Sequence, residues 1–148
     1  MNVPLRTTDF LDRGVDLYDD VPAVVSDDGE EYTYSEFADR VNQVSNALLD
    51  AGLEQGDRVA LVAGNTHYFL ETEFATQQLG MVFVPINYRL TPSDYEYILT
   101  DCDAALVVAD YEYADKIESV RDEVPARRFV GYEAGRIDGN WDDYSEWV

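Results

Sequence analysis

Lysine is almost absent from this 148-residue sequence: Lys116 is the only one among ten basic residues, and the rest are arginines. Cysteine and histidine occur once each, as Cys102 and His67. One cysteine excludes an internal disulfide and fits a reducing compartment, so a cytoplasmic location is expected. No run approaches about 18 consecutive apolar residues, which excludes a membrane-spanning helix. Met1–Arg6 lacks the apolar segment of a signal peptide. No basic patch is present to neutralise phosphates, so nucleic acid is excluded as a partner.

Acid is abundant. Ten basic residues against 31 acidic ones give a net charge of −21. The acids do not form a tail; they recur as Asp19–Asp20, Asp27–Asp28, Glu30–Glu31, Asp122–Glu123 and Asp142–Asp143. A disordered acidic segment lacks aromatics. This chain has eleven tyrosines and is 46% hydrophobic. The acidity therefore reads as a folded surface adapted to high salt, where self-repulsion is screened.

The apolar pattern alternates between short strands and helices. Thr8–Asp9 caps an expected first helix that carries Phe10, Leu11, Val15, Leu17 and Tyr18. A hairpin is expected over about 21–34, from Ala23–Ser26 through an Asp27–Asp28–Gly29 turn to Glu31–Tyr34. Thr33 and Glu36 have capping-box spacing. Phe37, Val41, Val44 and Leu48 then follow at helical intervals, and Gly52 closes the helix. Arg58–Ala63, Met81–Ile86 and Ala104–Ala109 read as buried strands, with Pro85 at a strand end because it lacks an N–H. Helices are expected at about 67–79, after Thr91–Pro92, and through Ile117 and Val120. Arg128–Gly131 is a last strand. Alternation over about 35–131 gives an α/β fold, a mostly parallel sheet with helices on both faces. Residues 132–148 read as an irregular tail, and 1–148 as one unit.

Several segments together carry a family resemblance. They are Thr33–Phe37, Val41–Asn42, Ala47–Leu48, Gly52–Leu53, Gly56–Leu61, and above all Gly80–Pro92, GMVFVPINYRLTP. Their order and spacing resemble the N-terminal region of adenylate-forming enzymes: acyl-CoA synthetases, luciferases and peptide-synthetase adenylation domains. The Asn87–Tyr88–Arg89–Leu90 form leans toward the fatty and aromatic acyl-CoA ligases. The resemblance implies the N-terminal subdomain of that fold. It implies a reaction in which a carboxylic, fatty-type acid attacks the α-phosphate of ATP. An acyl-adenylate and pyrophosphate result, and CoA then displaces AMP. It further implies ATP, magnesium and CoA for the complete enzyme, with the remainder of the synthetase chain as partner.

That family cradles phosphate with a loop of the form SGTTGxPK. Here no two glycines are three apart and no Pro–Lys pair exists. Lys116 matches no catalytic lysine of the family. The expectation is that no cofactor binds this chain itself, that no catalytic residue lies in it, and that alone it is inactive. Gly131, Gly135 and Gly139 read as a surface turn. His67 reads as a helix-cap or surface residue, and Cys102, between Asp101 and Asp103, as an unreactive thiol. The acidic pairs have no histidines around them to make a metal site. Asn87, Tyr88 and Arg89 follow a strand's carboxyl end, where open α/β sheets place ligands. They are candidates for the acyl or CoA passage, against a reading in which Asn87 makes a turn and Arg89 pairs with a carboxylate. Self-association at molar salt is expected through Tyr132, Trp141, Tyr144 and Trp147. The rival function is a stand-alone, non-catalytic α/β binding or interaction module. A flavodoxin-like binding domain fails because the loop after the first strand, Ser26–Glu31, is acidic.

Overall fold

The structure is a computed structural model that describes residues 6–26 and 29–148, so Asp27 and Asp28 of the expected turn lie outside the described residues. The helices are α1 (Thr8–Tyr18), α2 (Tyr34–Asp50), α3 (His67–Gln78), α4 (Pro92–Asp101), α5 (Tyr111–Glu118) and α6 (Tyr144–Trp147). The strands are β1 (Pro22–Val25), β2 (Glu31–Thr33), β3 (Arg58–Val62), β4 (Val82–Pro85), β5 (Leu106–Asp110), β6 (Arg128–Tyr132) and β7 (Asp142–Asp143). β1 and β2 pair antiparallel. The other five form a sheet in the order β4-β3-β5-β6-β7, every pair parallel.

β3 and β5 are central because both of their faces are apolar. Val59, Leu61, Leu106 and Val108 pack into one core with the α2 side chains Phe37, Val41, Val44 and Leu48. Ala60, Val62, Val107 and Ala109 pack into the other, with Tyr95 and Leu99 of α4 and Ile117 of α5. Two-sided burial is what a parallel sheet requires. The four α2 side chains are each almost wholly buried, at roughly 2 kcal/mol apiece of gross stabilisation. The helix start is fixed locally: Thr33 Oγ1 accepts from Glu36 N while Glu36 Oε2 accepts from Thr33 N. At the start of α4 Asp94 Oδ2 accepts from both Thr91 N and Thr91 Oγ1, a pairing that sequence spacing also permits.

Three expectations need correction. Phe10, Leu17 and Tyr18 of α1 face outward, and Leu11 with Gly14 forms the buried side. Its N-cap is Thr7, without a side-chain bond. Gly14 is buried because the Tyr34 ring lies on it; a Cβ there would sit 2.3 Å from Tyr34 Cδ1. β4 is an edge strand, with Val82 47% exposed, not a strand buried on both faces. The segment 132–148 is ordered structure: β7 adds to the sheet beside β6, and α6 follows it. Tyr132 and Tyr144 are core residues at 3% and 4% exposure, so they cannot form an uncovered patch.

Candidate functional site

The carboxyl ends of β3, β4, β5 and β6 lie along one edge of the sheet because all four strands run parallel. Two groups of side chains gather there.

The first is the turn after β4. Ile86 N continues the ladder by donating to Leu61 O. The chain then turns: Asn87 Oδ1 accepts from Arg89 N at 2.9 Å, and Asn87 O accepts from Leu90 N at 3.2 Å. Tyr88 stacks on Tyr113 of α5, with ring centroids 4.8 Å apart and planes 18° off parallel. Arg89 is exposed, its guanidinium 5.5 Å from the Tyr88 ring centre. Lys116 Nζ donates to Tyr88 O and Leu90 O, each at 3.1 Å. With Ala63 and Phe69 the turn lines an open cavity of about 420 Å³. Asn87 thus makes the turn. Among the described residues no carboxylate lies within 4 Å of Arg89, as for Arg13 and Arg127, whereas the other six arginines each have one.

The second group surrounds Glu71, whose carboxylate is fully buried. Arg40 of α2 pairs with it, His67 Nδ1 lies 2.8 Å away, and Tyr144 donates to it at 2.7 Å. Burial alone would raise its pKa. The donors from His67, Arg40 and Tyr144 outweigh that and hold it below the ordinary value of 4.5. Tyr68 stacks on Tyr132 at 3.6 Å, and Tyr132 meets Tyr144 at 4.3 Å. Burial lifts both the Tyr132 and Tyr144 phenols well above 10.0. Beside these rings opens a cavity of about 590 Å³, also lined by Tyr32, Arg40, His67 and Asp143.

His67 is therefore no surface cap; its side chain is only 12% exposed, between Glu71 and the Glu30 carboxylate at 3.8 Å. The signal was available, since His67 and Glu71 are four apart and share a helix face. Every strong acceptor position on Glu71 already has a donor, so it holds the fold rather than acting as a base. Burial, ahead of the neighbouring acids, raises the Cys102 thiol, and an unactivated thiol is a poor nucleophile. Among the described residues no group of three His, Cys, Asp or Glu side chains is placed to hold a metal ion, and no helix is long and apolar enough to cross a membrane.

Residues 11–143 match the family model of the AMP-binding enzyme. The chain is 37% identical over 117 residues to a 4-hydroxybutyrate–CoA ligase of Metallosphaera sedula, a match covering 79% of this chain and 21% of that protein. It is 36% identical over 115 residues to a feruloyl-CoA synthase of an Amycolatopsis species, covering 78% and 23%. The chain thus spans less than a quarter of these relatives' length. Its fold superposes on an anthranilate CoA ligase solved with anthranoyl-AMP, with TM-score 0.90, 27% identity, and coverage of 99% of this chain and 27% of that one. A putative long-chain-fatty-acid CoA ligase from Rhodopseudomonas palustris gives TM-score 0.86 at 25% identity, covering 97% and 36%. Over nearly its whole length, in sequence and in backbone, this chain belongs to the AMP-binding enzyme family.

Proposed function

We propose that this chain is the N-terminal part of an AMP-forming acyl-CoA ligase, and that its own contribution is to border the CoA passage. The complete ligase would convert a carboxylic acid and ATP to an acyl-adenylate and pyrophosphate, then pass the acyl group to the CoA thiol with release of AMP. The relatives are named for 4-hydroxybutyrate and ferulate, acids of unlike shape, so the acid is assigned only as a carboxylic acid.

The described residues do not fit ATP. The loop Gly64–Thr66 that enters α3 has the form of a helix N-terminus, a place that attracts phosphate. Beside it, however, His67 lies 2.8 Å from Glu71 and 3.8 Å from Glu30. Neither that loop nor any other segment has the SGTTGxPK form of the family's phosphate cradle. The adenylating residues, and the magnesium that accompanies the nucleotide, are therefore assigned to other parts of the ligase.

The observation that carries the reading is Arg89. In a chain of net charge −21 it stays clear of every described carboxylate. It projects from an ordered turn at the carboxyl edge of the sheet, beside stacked tyrosines. An arginine left unpaired among so many acids is available to a phosphate-bearing ligand, and CoA is the phosphate-bearing reactant of the second step. The high acidity is proposed as adaptation to concentrated salt in a cytoplasm. The test is thioester formation by the complete ligase with a panel of acids. Loss of CoA affinity in Arg89→Ala supports the reading, and an unchanged CoA dependence refutes it.

A further inference from the structure

Lys116 is the only lysine of the chain. Its ammonium meets no described carboxylate within 4 Å, although 31 acidic residues are present. It goes instead to two backbone carbonyls, Tyr88 O and Leu90 O, both at 3.1 Å. These two carbonyls flank Arg89. The turn's own N–H groups are used elsewhere: Arg89 N goes to the Asn87 side chain, and Leu90 N to Asn87 O. The donors for Tyr88 O and Leu90 O therefore come from α5.

α5 is a firm base for such a clamp. Ala114 and Ile117 are buried under the sheet, and its start is capped by Asp110, which accepts from Glu112 N. Tyr113 and Lys116 are three residues apart on one face of the helix. Tyr113 stacks on the Tyr88 ring while Lys116 holds the backbone on either side of Arg89. The ammonium also lies 6.0 Å from the Tyr95 ring, and Tyr95 OH reaches Asn87 O at 3.5 Å. An apolar residue at 116 would leave two acceptors without their donor and favour an opened turn.

The geometry points to Lys116 as a positioning residue: it fixes the 87–90 turn so that Arg89 is held toward the CoA passage. This role presupposes that the turn borders that passage. Lys116→Met keeps the aliphatic stem and removes the donors, and Lys116→Arg keeps cationic donors of similar reach. In the chain itself, the Met variant should speed amide exchange at Arg89 and Leu90 by about tenfold or more, with exchange in β3 and β5 unchanged. In the complete ligase it should raise KM for CoA by about tenfold, with pyrophosphate release from ATP and acid unaltered. The Arg variant should recover most of both. Unchanged exchange in Lys116→Met overturns the clamp. Faster exchange with an unchanged KM for CoA, while Arg89→Ala raises that KM, overturns the positioning role alone. If Arg89→Ala also leaves KM for CoA unchanged, the passage reading is what fails, and the role of Lys116 fails with it.

Discussion

Tyr144 donates its phenol to the buried carboxylate of Glu71 at 2.7 Å, across 73 positions of sequence. The bond ties α6, the last helix, to α3, and Arg40 brings in α2 through the same carboxylate. Removing one member of a buried pair leaves a stranded charge, which costs about 3–5 kcal/mol, whereas replacing both by apolar groups is often near neutral. Arg40→Met, which strands the fully buried Glu71 carboxylate, should therefore lower stability by about 3 kcal/mol in urea unfolding. The double variant Arg40→Met, Glu71→Met should regain most of it. Equal losses in the single and the double variant would remove the pair from the account.

The same carboxylate gives a pH dependence of known sign. Its folded pKa lies below the ordinary 4.5. A depressed carboxyl stabilises fully above its unfolded pKa, and that contribution is lost as pH falls through the folded value. The melting-temperature gap between wild type and Glu71→Gln should be widest near neutrality and should shrink below pH 4.5. A gap that grows on acidification would reverse the assignment of Glu71 as ionised.

Gly14 sets two effects against each other. Glycine to alanine inside a helix gains about 1 kcal/mol from propensity. The new Cβ would fall 2.3 Å from Tyr34 Cδ1, and overpacking costs about 1–3 kcal/mol. Gly14→Ala should destabilise on balance, and Gly14→Ala with Tyr34→Ala should relieve the clash. A stabilised single variant would mean that Tyr34 moves aside freely.

Net charge −21 makes salt the main lever on the surface. The Debye length falls from about 10 Å at 0.1 M to about 3 Å at 1 M. The melting temperature should rise with KCl into the molar range, measured by calorimetry at fixed pH. A flat or falling curve would argue against a surface adapted to salt.

The legible parts of the fold were those in which local chemistry and burial agree. β3 and β5 are continuous apolar runs because both faces are covered, and α2 declares itself by its capping box and apolar spacing. β7 was hidden because Asp142–Asp143 has no strand composition; it is a strand only by pairing with Val130 and Gly131. The buried face of α1 was not legible because its apolar residues face both ways, and Leu11 with Gly14 forms the buried side. The Asn87–Arg89 turn was located from the strand-end rule, but its fixation by Lys116 spans 28 positions and leaves no local pattern. The Glu71 cluster likewise joins residues 31 and 73 positions apart.

The most direct measurement separates the two half-reactions. The chain alone, given ATP, magnesium and a panel of acids, should release pyrophosphate no faster than a buffer blank. In the complete ligase, Arg89→Ala should leave acid-dependent pyrophosphate release intact and slow thioester formation at low CoA. Turnover by purified chain alone, or equal loss of both steps in Arg89→Ala, would contradict the assignment of this part of the molecule to the CoA side of the reaction.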